Sequence, residues 1–441
     1  MQLFTAFHVI TNIKLEVIKL GFNRLKKTII LMLTAIISLT GCTSANITGS
    51  QDLMLSVKGV SWPDAPDKLD ERLQQALFDF SWSLFQESVK NEGNVLISPA
   101  SVYLALGMTL NGADSNTHQA MIEALKAGDL TEEEFNAACR DYISILQVLG
   151  EKTELSIANS IWYREGFKPD KDFLQRNADY FAASAQTLDF SKPAAVNTIN
   201  NWVKKETRNT IDKIIDRIDA DVVMYLINAV YFKSDWQNPF DAADTREMDF
   251  RGTNGTHKAQ FMNSSRNIDY IDNGDVKGVM LPYDDGRFSF FALLPEEGKD
   301  VREFVESLDG KSISSYLADI ESGYIRLSLP KFETRFEDSL KDELTNLGMG
   351  VAFDSNNADF SRMNEAHEKN LYISEVKHKT FCRVDEKGSE AAAVTSVEMR
   401  VTGMPLDPEV QIIFDRPFVY GIVDTVTGAP LFIGLMENPT K

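Results

Sequence analysis

Few residues in this chain are placed to do catalytic chemistry. It has five histidines, His8, His118, His257, His367 and His378, and three widely spaced cysteines, Cys42, Cys139 and Cys382. No stretch reads GxSxG, HExxH, a P-loop or a strand-to-helix GxGxxG, and His367-Glu368 is followed by Leu371 where a second zinc histidine would stand. The cysteines form neither a disulfide framework nor a CxxC pair. These absences point away from an enzyme and give no cofactor or metal site. What remains is hydrogen-bonding chemistry: Ser98, Ser101, Asn228 and His378 lie in apolar runs. A buried polar group without a partner costs a few kcal/mol, so these four must find partners, either as ordinary satisfied core residues or as one working cluster.

A second candidate is the stretch from Glu386 to Pro408. Ala, Glu and Met favour helix locally. Yet Ser389, Ala391, Ala393, Thr395, Val397 and Met399 are uncharged, while Glu390, Glu398 and Arg400 share the alternate positions. That is the period of a strand with one uncharged face. Small side chains at Ala391, Ala392 and Ala393 would let such a strand slide between two others, and Val394, bulkier but β-branched, still suits one.

The elements that must position these residues follow from periodicity. Leu73, Leu77, Phe80 and Leu84 share one face of a helix expected over Leu69 to Val89, capped by Asp67. A second helix is expected from Val196 to Ile218, on the spacing of Ile199, Trp202, Val203, Ile211, Ile214, Ile215 and Ile218. Val222 to Phe232 is almost continuously apolar, which suits a central strand covered on both faces. Shorter strands are expected at Gly278 to Leu281, Phe288 to Leu294, Tyr324 to Leu329, Tyr372 to Val384, Glu409 to Phe414 and Phe418 to Val423. The class is α+β, helices first and strands later.

The 441 residues, 43% hydrophobic and 25% charged, carry a formal charge of −20. That balance argues against a nucleic-acid partner. Near the amino terminus Arg24, Lys26 and Lys27 precede the apolar run Ile29 to Leu39 and then Leu39-Thr40-Gly41-Cys42. The run is shorter than the roughly 20 residues needed to span a bilayer. It resembles a bacterial lipoprotein signal, with Cys42 as the lipidated first residue of the mature chain; the alternative is a short buried helix that happens to end in cysteine. The expected organisation is a leader over 1–41, a lipidated cysteine with a flexible tether over 42–66, and one domain over 67–441. The expected location is the cell envelope, at the outer membrane, periplasmic or surface-exposed.

Motifs spread along this domain resemble the serpin family. They are Asn94-Val95-Leu96-Ile97-Ser98-Pro99-Ala100-Ser101, Ala158-Asn159, Ile199-Asn200-Asn201-Trp202-Val203, Leu226-Ile227-Asn228-Ala229-Val230-Tyr231-Phe232-Lys233 with Trp236 and Phe240, Leu281-Pro282-Tyr283, Leu329-Pro330-Lys331-Phe332, Leu347-Gly348-Met349, Ala358-Asp359-Phe360-Ser361, Asp415-Arg416-Pro417-Phe418 and Leu431-Phe432-Ile433-Gly434. The sequence departs at Ser234, where the family usually has Gly, and at Asn209, where Gly often ends a helix. The resemblance implies helices around a large mixed sheet with smaller sheets, and an exposed reactive-centre loop over about 386–408. It implies a monomer that traps serine, or papain-like cysteine, proteases as covalent complexes by loop cleavage and insertion. Glu386, Gly388, Ser389, Ala391, Ala392, Ala393 and Val394 would be the hinge. Ser98, Ser101, Asn228 and His378 would be the shutter beneath the sheet, and Trp236 would mark the breach where the strand enters. The family's spacing puts the reactive bond at Thr402-Gly403, with Arg400-Val401 as the alternative. A non-inhibitory carrier or adhesion module is the competing function.

Overall fold

The computed structural model describes residues 50–220, 222–284, 286–309, 313, 315–316, 319–389 and 410–440. In chain order the elements that frame the site are β1 (Ser50–Asp52), α1 (Glu71–Ser88), β2 (Val95–Ile97), α2 (Pro99–Leu110), α3 (Ser115–Ala124), α4 (Glu132–Leu146), β3 (Glu154–Arg164), α5 (Lys171–Tyr180), β4 (Ser184–Leu188), α6 (Ala194–Glu206) and β5 (Met224–Asp235). They continue with β6 (Arg246–Gly252), β7 (Gly255–Asp272), β8 (Val276–Pro282), β9 (Phe288–Pro295), α7 (Val301–Ser307), β10 (Glu321–Pro330), β11 (Phe332–Ser339), α8 (Lys341–Leu344), β12 (Val376–Val384), β13 (Gly388–Ser389), β14 (Val410–Ile413), β15 (Phe418–Asp424) and β16 (Pro430–Met436). Strands therefore interleave with helices from the start. The expectation of helices first fails because β3 and β4, mixed in polarity, carry no clean period-2 signal.

One sheet has the order β1-β4-β3-β5-β13-β12-β11, and the other runs β14-β10-β7-β8-β9-β15-β16-β2 with β6 on β7. The apolar run of β5 is central, paired with β3 on one side and with β12 and β13 on the other. Its even-numbered residues Met224, Leu226, Val230 and Phe232 join the main core. α2 packs against β3, β5 and β16, and all twelve of its residues are buried. Pro99 at its first position uses the one helical site where a missing N–H costs nothing.

Besides small shifts such as β12 starting at Val376 and not at Tyr372, three boundaries differ from the expectations. α1 is capped by Asp70, whose carboxylate accepts from Arg72 N at 2.9 Å, and not by Asp67. The helix expected through Ile218 stops at Glu206, where Arg208 and Asn209 take left-handed backbone (φ 50° and 68°). Asn is suited to that conformation. The helical spacing of Ile211, Ile214 and Ile215 persisted because all three are buried, but in an irregular segment held by Asn200. The Asn200 Oδ1 accepts from Ile214 N (2.8 Å) and Ile215 N (3.1 Å), and its Nδ2 donates to Ile215 O (2.8 Å).

The third boundary is the domain's start. Residues 50–60, expected in the tether, lie along the domain: β1 pairs with the edge strand β4, Leu53 is buried, Gln175 Nε2 donates to Lys58 O at 2.8 Å, and Val60 N donates to Asp179 Oδ1 at 2.9 Å. A buried leucine and a filled sheet edge outweigh the polar, Pro-containing composition that suggested a free linker.

Replacing Asn200 by Ala would strand two buried N–H groups and a carbonyl. The expected cost is about 3 kcal/mol, measured as a lowered urea midpoint; an unchanged midpoint would show that this segment does not depend on Asn200.

Candidate functional site

The carboxyl end of β12 turns back on itself and enters the large sheet. Asp385 N donates to Gly388 O at 3.0 Å and Lys387 N to Asp385 Oδ1 at 2.9 Å, closing a tight reversal. Gly388 and Ser389 then lie between β5 and β12, antiparallel to both: Gly388 faces Asp235, and Ser389 faces Ser234 and Val384. A Cβ at residue 388 would sit 2.0 Å from the Ser234 carbonyl oxygen, so only glycine fits. Ser389 is buried, with its Oγ 2.6 Å from the Tyr283 hydroxyl. Ser234, at the family's usual glycine position, is buried too and bonds the Thr153 hydroxyl at 2.8 Å.

The turn is tied down at three consecutive carbonyls. Trp236 Nε1 donates to Asp385 O (2.8 Å), Phe240 N to Glu386 O (2.8 Å) and Trp236 N to Lys387 O (2.7 Å). The Trp236 ring stacks on Tyr283 with centroids 4.7 Å apart and meets Phe290 edge-on at 5.7 Å. The Glu386 carboxylate pairs with Lys331 Nζ at 2.7 Å and accepts from Thr245 Oγ1 at 2.7 Å. Burial pushes that carboxyl up, but these two partners outweigh it and hold it below its ordinary value. Below this anchored mouth, β5 and β12 pair directly and in parallel only over Leu226–Ala229 and Val376–Lys379.

At that lower ladder the four polar residues meet. Ser98 N donates to His378 Nε2 at 3.0 Å, so the imidazole proton lies on Nδ1, 3.1 Å from Asn228 Oδ1. Asn228 Nδ2 donates to Ser101 Oγ and, at 2.6 Å, to Asn159 Oδ1. The chain of donors and acceptors is consistent from α2 across β12 and β5 to β3. Burial holds His378 neutral, its pKa pulled down to about 3. Ser98 joins through its backbone N–H, while its hydroxyl has no partner among the described residues.

The structure thus brings together Ser98, Ser101, Asn228 and His378 in one cluster, and Trp236, Glu386, Gly388 and Ser389 in another. Ala391, Ala392, Ala393, Val394, Arg400, Val401, Thr402, Gly403 and Cys42 lie outside the described residues. Asn159, Thr245, Tyr283 and Lys331 belong to these clusters but were not singled out. Three of them stood in quoted motifs, Ala158-Asn159, Leu281-Pro282-Tyr283 and Leu329-Pro330-Lys331, whereas Thr245 carried no signal.

The sequence model of the serpins, described as serine protease inhibitors, matches residues 75–439. The chain belongs to the serpin family. An uncharacterized serpin-like protein of Thermococcus kodakarensis is 32% identical over 368 residues, covering 82% of this chain and 85% of that one. The leukocyte elastase inhibitor of Xenopus tropicalis is 30% identical over 84% of this serpin and 100% of its own length. Among solved structures, the thermophilic serpin tengpin in its native state is 39% identical with a TM-score of 0.83, covering 89% of this chain and 100% of that one. Tengpin in its latent state gives 0.73, at 40% identity, over 84% and 99%. A thyroxine-binding globulin complexed with thyroxine also matches, at 26% identity and 0.76, over 83% and 99%. The serpin fold is therefore established here, and the two clusters lie at the mouth and at the lower ladder of its large sheet. Serpins are typically protease inhibitors and not enzymes.

The buried imidazole makes this serpin acid-sensitive. An unfolded histidine titrates near 6.5 and folded His378 near 3, so the unfolded state takes up a proton that the folded state refuses. The His378 contribution is complete above pH 6.5 and is lost as pH falls toward 3, by about 2 kcal/mol at pH 5. Urea midpoints at pH 7.5 and 5.0 should fall more steeply in the parent chain than in His378→Gln; the carboxyl groups are common to both and cancel. Equal slopes would contradict a neutral, buried His378.

Proposed function

We propose that this serpin is an inhibitor that traps serine proteases of the elastase type, and papain-like cysteine proteases by the same route, after cleavage at Thr402-Gly403. The protease nucleophile attacks the Thr402 carbonyl, the Gly403 amine leaves with a proton, and the acyl-enzyme ester or thioester joins protease to loop. The freed segment then enters the sheet and carries the protease with it: Glu390 to Thr402, the thirteen residues beyond Ser389, would span about 43 Å at strand pitch. Strand addition supplies the driving force.

The observation that carries this reading is a matched register. β12 residue 376 lies against β5 residue 226 in the lower ladder, and at the mouth Ser389 lies between residues 384 and 234. Both relations have the same offset, so a strand continued from Ser389 meets the lower ladder without a slip. Ala391 then falls between Phe232 and Cys382, Ala393 between Val230 and Thr380, Thr395 between Asn228 and His378, and Val397 between Leu226 and Val376. These β5 and β12 residues are buried, on the core side of the sheet. Val394, the bulky exception in the hinge, falls beside Ala229 and Lys379 on the other face, where its branch clears the core. All three charged residues of this stretch, Glu390, Glu398 and Arg400, would fall on the outer face in this register.

Lipidation of Cys42 would hold the inhibitor at a bacterial envelope, as the leader motif suggests. The path from Cys42 to Ser50 is eight residues, at most about 28 Å, so the lipid would keep the domain close to the membrane. Loss of lipid labelling in Cys42→Ser is the expected result, and persistent labelling would count against that assignment.

The decisive assay is incubation with an elastase-type protease followed by denaturing electrophoresis. The parent chain should give a denaturant-resistant complex near one-to-one stoichiometry. Ala391→Glu, which would place a carboxylate among buried apolar side chains, should be cleaved without forming a complex. Arg400→Ala should inhibit as well as the parent; its failure would move the reactive bond to Arg400-Val401. Cleavage of the parent chain with no complex would favour a carrier or adhesion module.

A further inference from the structure

One edge of β3 is covered along only part of its length. β5 pairs with β3 over Glu154–Tyr163, but on the other side β4 pairs with it, in parallel, only over Ser160–Arg164. Over 155–159 that edge has no strand beside it among the described residues. Burial follows the pairing: Ile161, Trp162 and Tyr163 are 1% exposed or less, whereas Leu155, Ser156 and Ile157 are half-buried. The chain that leads into β4 does not close the edge. Phe181 N and Ala183 N both turn back to Asn177 O on α5, at 3.2 and 3.4 Å, and Ala182 takes left-handed backbone (φ 46°). The chain therefore joins the sheet only at Ser184.

What is left beside 155–159 is a cavity of about 470 Å³, a volume in the range of small-ligand pockets. It has walls on both faces of the sheet. Leu155, Ile157 and Asn159 share the core-facing side of β3, against Leu104 of α2 and Leu146 of α4, while Ser156 and Ala158 share the outer side with Trp202 and Glu206 of α6. Alternate residues of an antiparallel strand turn their N–H and C=O groups away from the partner strand, here into the cavity, and such groups demand partners. Glu206 is the one charged residue among those that line it. It pairs loosely with Lys205, 3.6 Å away and 78% exposed, and stands two residues before Arg208, which touches Glu154 at the start of β3.

We propose that this cavity binds a short, extended, apolar peptide with a free amino terminus, added as a strand to the open edge of β3. Laid parallel to β3 and in line with β4, such a peptide has its amino end at the start of β3, where the Glu206 carboxylate meets the ammonium group. Three or four residues, about 10–13 Å at strand pitch, fill the length up to Ser184. Its backbone pairs with β3, and its side chains alternate between the Leu104 and Leu146 wall and the Trp202 wall. The site lies on the side of β3 away from the divide between β5 and β12, and it does not depend on protease trapping.

The test titrates the amidated peptide Ala-Leu-Val-Ala, its amino terminus free, into the full mature chain, with calorimetry for affinity and hydrogen exchange for location. Saturable binding with slowed exchange over 155–159 is the expected result. Glu206→Gln should weaken binding about fivefold. Acetylating the peptide should do the same to the parent chain and add little in the Glu206→Gln variant. A peptide N-methylated along its backbone should not bind. Absence of saturable binding, or slowed exchange over 226–235 and 376–384 in place of 155–159, would overturn the proposal. Equal affinity for the N-methylated peptide would overturn it as well, because strand pairing would then contribute nothing.

Discussion

The large sheet is built around two central strands that are only half joined. β5 and β12 run parallel and share a ladder of four residues on each strand, Leu226–Ala229 and Val376–Lys379. At their other ends the separation is wide enough for Gly388 and Ser389 to lie between them. Parallel strands normally pair along their whole shared length, because the backbone groups demand partners. Here the chain begins to fill the separation with its own next segment. The turn at Asp385–Lys387, the glycine forced by the Ser234 carbonyl and the Glu386–Lys331 pair all serve to hold that segment at the mouth.

The lower ladder is closed by polar groups, not by packing alone. The Asn228–His378 contact spans the two strands at the level where an inserted strand would have to pass, and its partners reach to α2 and β3. Such a network can be closed and satisfied in one arrangement and opened in another, whereas an interdigitated apolar seam would resist separation. The buried, neutral histidine limits the network to conditions in which the imidazole stays uncharged. Among the described residues the two central strands are thus joined at the bottom and bridged by Gly388 and Ser389 at the top.

Much of this was legible in the sequence. The apolar run at 222–232 identified the central strand because burial on both faces removes alternation; the alternating pattern of 389–399 lies, beyond Ser389, outside the described residues. The polar residues of the lower-ladder cluster were visible as exceptions in apolar stretches. The direction of their bonds was not: that Ser98 acts through its backbone, or that Asn159 completes the chain, depends on how α2 and β3 cross, which no local pattern encodes. The helix drawn through Ile218 failed for a related reason. Apolar spacing reports burial, and the side chain of Asn200 allowed the same residues to be buried without helix. Residues 50–60 were misread as linker because composition weighs every residue alike, while one buried leucine and three strand residues fix that segment to the domain.

If the half-joined sheet is the source of activity, completing it should change the molecule's stability whether or not any protease is trapped. The direct measurement is the thermal unfolding midpoint of the intact chain and of chain nicked within residues 400–409 by a protease it does not trap. The account predicts that the nicked form, its freed segment seated between β5 and β12, unfolds more than about 10 °C above the intact form. A nicked form that unfolds at or below the intact midpoint would contradict it.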